Sequence, residues 1–275
     1  MQNIALSWQQ SGVLAGALLG TAAVLHAVGT RVSRAVYPYA RETGVIAGLY
    51  SLWQLAGTLS VLGTSGAFAR ARWIERVQHD WRLPSEATVQ HGIADHPLIV
   101  QACNIYYATM HFGVLFVFLL WMFLRHRDAY PRVRTTIVLI TLVCLLIQLI
   151  PVAPPRLLPG YTDTAQQYGQ SVYSLGLAPD QLSAMPSVHV AWAVLIAWAV
   201  IRVSASRWRW LALAHPIVTI YVIAATANHF WLDGVAAIVL LAACVLVQNA
   251  ARRAIGRWSL RRAVAPDRDL ADALA

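Results

Sequence analysis

The stretch LIVQACNIYYATMHFGVLFVFLLWMFL, residues 98–124, contains no Asp, Glu, Lys or Arg and is long enough to cross a bilayer as a helix. The whole chain has the same character, since its 275 residues are 58% hydrophobic and 12% charged. An average soluble domain carries about 25% charged residues. Six further apolar runs are predicted spans: 12–29, 45–63, 135–152, 186–203, 210–225 and 229–247. We therefore predict an all-α fold, a polytopic membrane helical bundle with seven spans.

Lysine is absent, and the arginines cluster beside the predicted spans. The formal net charge is +9, and arginine-rich connections follow the first, third and fifth spans and fill the tail. Such connections are typical of the cytoplasmic side, which places the loop 153–184 and the junction 226–230 on the outer face. The alternative interpretation of the charge is attraction to anionic lipid head groups. No basic stretch forms a separate soluble module, so no nucleic-acid partner is expected.

The cysteine and histidine spacings indicate neither a disulfide framework nor a metal site. Cys103, Cys144 and Cys244 lie in or beside apolar runs and are predicted to be small buried side chains. Six histidines form no cluster with metal-ligand spacing: His26, His79, His91, His96, His126 and His215. We therefore expect no metal and no cofactor. The first apolar run lacks a basic leader and a cleavage pattern, so we expect a retained span.

Residues 70–97 differ from the spans because charged faces separate their apolar side chains. Four apolar residues recur at helical spacing: Trp73, Ile74, Val77 and Trp81. The pattern predicts an amphipathic helix on the membrane interface. Ser85 and Glu86 follow Pro84 and predict the start of a second short helix. We interpret this region as a surface element without chemistry.

Two late apolar runs each have a histidine at their edge, in MPSVHVAW (185–192) and in NHFWLDG (228–234). In the second motif, His229 and Asp233 are four residues apart and would share one face of a helix. A carboxylate there accepts a hydrogen bond from one imidazole nitrogen and leaves the other as a lone-pair nucleophile. The alternative is a His–Asp pair that only stabilises a helix end.

Three further side chains are suited to a phosphate ester. His189 lies in the first turn of its span and suits a general acid, although an interfacial histidine would look the same. Ser187 offers a hydroxyl or a backbone N–H at a helix N-terminus, which is a natural anion site. Arg156 is the only arginine in the sequence between Arg134 and Arg202. Its guanidinium matches phosphate in bidentate fashion; the alternative is an arginine that snorkels at the membrane edge.

Tyr107 and His111 lie at helical spacing in the span 98–124, and Asn228 directly precedes His229. We consider all three as candidates for the lining of the same pocket, although His111 fits a packed side chain equally well. Two imidazoles, a carboxylate and a guanidinium are sufficient to bind a phosphate ester and break it.

At these residues the sequence resembles the type 2 phosphatidic acid phosphatase superfamily. That superfamily has three motifs, K-x6-R-P, P-S-G-H and S-R-x5-H-x3-D. Here they correspond to PPRLLP around Arg156, PSVH around His189, and TANHFWLD around His229 and Asp233. The resemblance covers roughly residues 98–250. It looks closest to the branch that contains inositol phosphorylceramide synthase, which is similar in having P-P-R and a larger residue before the second-motif histidine.

The sequence departs from the superfamily pattern at four positions. Leu149 stands where the lysine would be, and Val188 replaces the glycine of P-S-G-H. Val222 and Ile223 replace the serine and arginine of the third motif. The phosphate site therefore lacks two cations. A singly charged diester needs fewer cations than a doubly charged monoester, which favours a diester substrate or transfer to an acceptor.

The resemblance implies roles for the matching residues. His229 would be the nucleophile that forms a phosphohistidine, oriented by Asp233, while His189 would protonate the leaving group and Arg156 would hold the non-bridging oxygens. It implies a six-span core without a metal, here with one extra N-terminal span. Accordingly, we divide the chain into N-terminal spans with the interfacial helix (1–97), a catalytic membrane core (98–250) and a cytoplasmic tail (251–275).

The expected function is a metal-independent phosphotransferase or phosphatase that acts on a membrane lipid substrate. Head-group transfer and simple hydrolysis of a lipid phosphate or polyprenyl diphosphate both remain open, as does the oligomeric state. The alternative from another class is a transporter or scaffold that keeps the fold without catalysis, since intramembrane histidines also serve proton relays.

Overall fold

The computed structural model describes residues 6–60, 64–172 and 181–272, with side chains over 6–58, 64–172 and 181–258. Within these ranges the chain forms ten α-helices and no β-strand. The predicted all-α membrane helical bundle is confirmed. The end of the predicted span 45–63 and the middle of the predicted loop 153–184 lie outside the described residues.

The ten described helices are numbered in chain order. In the first half of the chain they are α1 (Trp8–Val28), α2 (Arg31–Ser60), α3 (Ala67–Asp80), α4 (Glu86–Ala94), α5 (Pro97–Arg125) and α6 (Tyr130–Gln148). In the second half they are α7 (Thr164–Gln167), α8 (Val188–Val203), α9 (Ala214–Ala225) and α10 (Trp231–Asp272). Two 3₁₀ segments, Pro155–Leu157 and Arg207–Leu213, complete the described secondary structure.

Five helical segments are long and apolar enough to cross a membrane: α1, α5, α6, Arg207–Ala225 and the first part of α10. The apolar α8 is shorter, at 16 residues. In the described part of the chain, α2 does not belong to this group. Its N-terminal half contains Arg31, Arg34 and Arg41, which the sequence had placed in a loop. These arginines continue the helix instead, and the mean hydropathy of α2 falls accordingly.

The helix α6 connects the arginine-rich end of the bundle to the end that carries the long loop. Near its start, Tyr130 donates a hydrogen bond of 3.0 Å to Glu42 of α2, and Arg134 pairs with the same carboxylate. Near its end, Gln148 donates to the carbonyl of Pro186 at 2.9 Å. Nineteen residues rise roughly 28 Å as a helix, close to the hydrocarbon thickness of about 30 Å. The two ends are therefore one bilayer thickness apart.

The helix α3 packs on the loop end of the bundle. Its buried face consists of Ala67, Ala71, Ile74 and Gln78, whereas Trp73 and Trp81 are 57% and 65% exposed. The apolar residues predicted to share one face therefore lie on two: Ile74 faces the protein, and the tryptophans face outward, as suits a helix at the membrane interface. The predicted second helix is confirmed as α4, where Ser85 accepts a hydrogen bond from the N–H of Ala87.

The loop between α6 and α8 returns on itself beside α3. Val152 donates to the carbonyl of Leu182 at 2.6 Å, and Ala184 donates back to Val152 at 3.2 Å. Ala153 donates to the carbonyl of Ala67 in α3. Two short helical segments lie in this loop, the 3₁₀ segment Pro155–Leu157 and α7. These bonds bring both ends of the loop together at the N-termini of α8 and α10.

Candidate active site

His229 lies in the turn between α9 and α10 and not within the helix. The sequence had placed His229 and Asp233 on one helix, but α10 begins at Trp231. The side chain of Asp233, the third residue of the helix, accepts a hydrogen bond of 2.8 Å from the N–H of the N-cap residue Phe230, as the third residue of a capping box does. The imidazole and the carboxylate nevertheless approach each other to 3.5 Å.

The tautomer of His229 follows from its nearest partner. Its Nδ1 lies 2.7 Å from the carbonyl oxygen of Ala184. Because a carbonyl oxygen only accepts hydrogen bonds, Nδ1 carries the proton, and the neutral ring keeps its lone pair on Nε2. That Nε2 is buried and has no hydrogen-bond partner among the described residues. Ala184, and only secondarily Asp233, therefore determines that Nε2 is the ring nitrogen that keeps the lone pair.

The turn that presents His229 contains a strained residue. Ala227 has a φ of 50°, in the left-handed region that costs a residue with a Cβ about 1 kcal/mol or more. The backbone N–H of Arg156 donates to the carbonyl of Ala227 at 2.8 Å. Asn228 donates from its side chain to Thr226 at 2.8 Å. Backbone and side-chain bonds together hold the turn in this conformation.

His189 occupies the first turn of α8, as predicted, and Ser187 precedes it as the N-cap. The Ser187 hydroxyl accepts from the N–H of Val190, and the Ser187 N–H donates to the carbonyl of Asp233 at 3.1 Å. Ser187 is fully buried. It therefore connects the helix start that carries His189 to the helix start that carries Asp233.

Three imidazoles and one phenol converge on the loop end of the bundle. The ring centroids of His189 and His229 are 5.3 Å apart. His111 lies 4.2 Å from His189, and Tyr107 stacks on His189 at 4.4 Å with an interplanar angle of 20°. The Nε2 of His189 is also buried and lacks a hydrogen-bond partner within the described ranges. Two imidazole nitrogens thus remain available for a ligand.

These rings line a cavity of about 240 Å³. Of the residues predicted from the sequence, Tyr107, His111, His189, Asn228 and His229 belong to its wall. Three others, Arg156, Ser187 and Asp233, lie behind the described wall and are at most 4% exposed. The structure therefore separates the predicted residues into a group that lines the cavity and a buried group that is not among its described lining residues.

Arg156 is the buried cation of the site. Its Nε donates to Asp163 at 3.1 Å, and its side chain is 2% exposed. Asp163 also caps α7 by accepting from the N–H of Gln166. The guanidinium is thus oriented by a carboxylate that lies in the same loop and that the sequence had not singled out. The backbone of Arg156 lies directly beside the turn that carries His229, because its N–H donates to the carbonyl of Ala227.

The interfacial region 70–97 supports the start of α10 through side-chain hydrogen bonds, and its expected lack of chemistry stays a prediction. Glu86 accepts from the N–H of Trp231 at 2.8 Å, and Gln78 accepts from the N–H of Leu232 at 3.0 Å. Gln78 also donates to Glu86 at 2.9 Å. The first N–H groups of a helix have no partner within the helix. Side chains from α3 and α4 therefore satisfy the start of α10.

Burial raises the pKa of Glu86 above its ordinary value of 4.5, and the nearby Asp233 raises it slightly further. The hydrogen bonds from Trp231 and Gln78 favour the ionised form and oppose this shift. Glu86 lies in α4, outside the spans, and is 1% exposed.

Four supporting residues were not foreseen from the sequence alone: Gln78, Glu86, Gln148 and Asp163. Gln148 binds the carbonyls of Ser183 and Pro186, on either side of Ala184. The sequence predicted Glu86 only as part of a helix start after Pro84, with no contact to another segment. In the described part of the chain, no three His, Cys, Asp or Glu side chains are arranged to hold a metal ion. The expected metal independence stays a prediction.

The chain was compared with known protein families, curated proteins and solved structures. A family model described as PAP2 superfamily matches residues 72–247. Neither the curated proteins nor the solved structures give a match. The matched region begins in α3 and includes all three motifs, from Arg156 to Asp233. Because the match covers more than half of the sequence, the chain belongs to the PAP2 superfamily.

Proposed function

We propose that this protein is a membrane phosphotransferase or phosphatase that acts on a lipid-linked phosphate ester through a phosphohistidine at His229. The observation that carries the proposal is the hydrogen bond from His229 Nδ1 to the Ala184 carbonyl at 2.7 Å, which leaves a buried Nε2 without a described partner. A second imidazole, His189, lies 5.3 Å away in the same cavity. This is the arrangement of a nucleophile beside an acid–base group.

In the first step, the lone pair of His229 Nε2 attacks phosphorus, and a P–N bond forms as the P–O bond to the leaving group breaks. The protonated His189 gives its proton to the leaving oxygen. The proton on His229 Nδ1 stays on the ring, where the Ala184 carbonyl and the Asp233 carboxylate stabilise the positive charge that develops. Arg156 is proposed to stabilise the non-bridging oxygens.

In the second step, a hydroxyl group attacks phosphorus from the side that the leaving group vacated. His189, now neutral, takes the proton of that hydroxyl as the P–N bond breaks and the electron pair returns to His229 Nε2. Water as the acceptor gives phosphatase activity, and a lipid or head-group hydroxyl gives transfer. The same two imidazoles serve both outcomes, so the acceptor alone separates them.

The lining of the cavity favours transfer of a phosphodiester, as in the inositol phosphorylceramide synthase-like branch. Its described lining residues include no Asp, Glu, Lys or Arg, and Arg156 is partly neutralised by Asp163. A monoester dianion would enter a site with little net positive charge, whereas a diester carries a single charge. Hydrolysis of a lipid phosphate or a polyprenyl diphosphate is the second candidate function, supported by the family itself.

We propose that the site faces the extracytoplasmic side of the cell membrane. The arginines of α2 and α6 lie at the end of the bundle opposite the site, as the contacts of Glu42 and Gln148 indicate. Positive residues favour the cytoplasmic side. A single cysteine introduced at exposed Trp81 should react with a membrane-impermeant thiol reagent in intact cells, and one introduced at exposed Trp208 should not. The reverse labelling would contradict this orientation.

The function is tested with purified protein in detergent, radiolabelled phosphomonoesters, diesters and diphosphates of lipids, and EDTA throughout. Label on an added lipid alcohol, without released phosphate, would establish transfer. Phosphate release from monoesters or diphosphates would establish a phosphatase. His79→Ala is the matched control, because that histidine is 90% exposed. Equal turnover by His229→Ala and the wild type would contradict the mechanism. No turnover of any substrate by the wild type would favour the non-catalytic scaffold or transporter.

A further inference from the structure

The helix α2 lines the candidate site although it lies outside the region that matches the family. The match begins at residue 72, whereas α2 ends at Ser60. Two of its aromatic side chains, Tyr50 and Trp53, nevertheless belong to the cavity wall that includes His189 and His229. The family region therefore does not complete this wall by itself.

Direct contacts hold α2 against the core at two levels. Near the arginine-rich end, the 8% exposed Glu42 accepts from Tyr130 and pairs with Arg134. The two contacts from α6 to one carboxylate of α2 fix the position of α2 along α6. Nearer the cavity, the Trp53 indole packs edge-on against Phe112 of α5 with ring centroids 5.5 Å apart.

The two rings of α2 form one ordered surface. Their centroids are 5.9 Å apart. Gln54 donates to the Tyr50 hydroxyl at 2.8 Å and to the carbonyl of Leu6 at 3.2 Å. Gln54 is 9% exposed, so this bond is shielded from competing solvent. The tyrosine ring is thereby held beside the indole.

A continuous series of rings leads from this surface to the imidazoles. Phe112 lies 4.0 Å from His111 and 5.6 Å from Trp192. His111 in turn lies 4.2 Å from His189. A group attached to a phosphate at the imidazoles can therefore contact aromatic faces along its length.

The polar groups of the described wall away from the histidines are neutral, and include Gln148 and Gln181. An anionic group moved there would lose its hydration without gaining a counter-charge, and for a cationic group the ring faces would offset only part of that loss. An uncharged group loses little hydration and gains contact with the rings. The wall is thus complementary to an uncharged group with an apolar face.

On the basis of the proposed function, we infer that Tyr50 and Trp53 determine substrate specificity by receiving the organic group esterified to the phosphate, and that this group is uncharged and apolar. The α1–α2 hairpin selects the ester, and the histidines of the family region carry out the chemistry. The specificity of this chain therefore depends on residues that the family model does not include.

The test compares full-length wild type, Trp53→Ala, Trp53→Phe and the control Tyr37→Ala in detergent. Tyr37 lies in the same helix but contacts His26, with ring centroids 5.2 Å apart. Substrates are phosphodiesters that join 4-nitrophenol to methyl, hexyl or decyl alcohol or to choline. We expect wild type to prefer decyl over methyl, and Trp53→Ala to reduce that ratio of kcat/KM at least about tenfold. Trp53→Phe should retain most of the preference, and Tyr37→Ala should retain all of it.

An unchanged ratio in Trp53→Ala, or a wild-type preference for the choline ester over the hexyl ester, would overturn the inference. Binding of decyl and methyl phosphonate, which cannot be hydrolysed, separates this outcome from failure of the proposed function. If decyl phosphonate binds in a Trp53-dependent way but no ester is turned over, the proposed function is wrong and the role of Trp53 in binding stands. If esters are turned over with a size preference that does not depend on Trp53, the proposed function stands and the inference about Trp53 is wrong.

Discussion

Glu86 of α4 accepts a hydrogen bond of 2.8 Å from the backbone N–H of Trp231, although the two residues are 145 positions apart. The indole N–H of Trp231 also donates to the carbonyl of Pro84 at 2.7 Å. The start of α10 is therefore attached to the interfacial region at two points. Because Asp233 lies in the first turn of α10 and approaches His229 to 3.5 Å, the interfacial region supports the proposed nucleophile, although none of its described residues lines the cavity.

Glu86→Ala is predicted to destabilise the protein. The substitution leaves the buried N–H of Trp231 without its acceptor, which costs about 1–3 kcal/mol. That corresponds to a fall in melting temperature of roughly 2–10 °C for a chain of this size. Thermal unfolding in detergent measures the effect. Asp80→Ala, at a carboxylate that is 78% exposed, should change the melting temperature little. Equal melting temperatures for all three proteins would contradict the capping role.

Glu86→Gln is predicted to change how stability depends on pH. The pKa of Glu86 is raised in the folded protein by burial, so its stabilising contribution is complete below 4.5 and is lost as the pH rises through the folded-state pKa. Glutamine still accepts from Trp231 but does not titrate. Wild type should therefore gain stability relative to Glu86→Gln as the pH falls towards 4.5. Melting curves that run parallel from pH 4.5 to 8 would rule this out.

His189→Ala is predicted to impair turnover in proportion to the basicity of the leaving group. General acid catalysis contributes about 10²–10⁴-fold, but a nitrophenolate leaves without a proton. The first step on a nitrophenyl ester should therefore lose far less than the first step on an alkyl ester. Burst kinetics measure that step separately from the second. An equal loss on both esters would show that His189 only maintains the structure.

Arg156→Lys is predicted to lower kcat/KM by roughly tenfold to hundredfold. A charge-assisted hydrogen bond contributes about 1.5–3 kcal/mol, and lysine keeps the charge but loses the planar fork. The backbone bond from residue 156 to Ala227 does not depend on the side chain, so the turn should survive. Steady-state kinetics beside an unchanged melting curve test this. Wild-type kinetics in Arg156→Lys would mean that charge alone suffices.

The residues of the cavity were predictable from the sequence to the extent that they are polar in apolar surroundings. His189, His229 and Asp233 stand out because ionisable groups are costly inside spans. The helix start at Ser187 was predictable from local capping chemistry. Tyr107 and His111 shared a helical face, and the structure places both in the cavity wall.

The supports of the site were not predictable, because each joins segments far apart in the sequence. The Gln78 side chain binds Leu232 across 154 positions, and nothing local distinguishes it from a surface glutamine. Its spacing after Ala67, Ala71 and Ile74 was the only local signal. The tryptophans obscured that signal, since Trp73 and Trp81 suggested a different buried face. Likewise, Ala184 acts through its carbonyl, which every residue possesses.

The central claim is that phosphorus becomes bonded to His229, and rapid quenching tests it most directly. Wild type is mixed with a ³²P-labelled nitrophenyl ester, quenched in alkali within milliseconds to seconds, and examined for protein-bound label that acid releases, as a P–N bond requires. We predict label in wild type and His79→Ala, none in His229→Ala, and accumulation in His189→Ala, where the second step lacks its base. Label that persists in His229→Ala, or wild-type turnover without any bound label, would contradict the account.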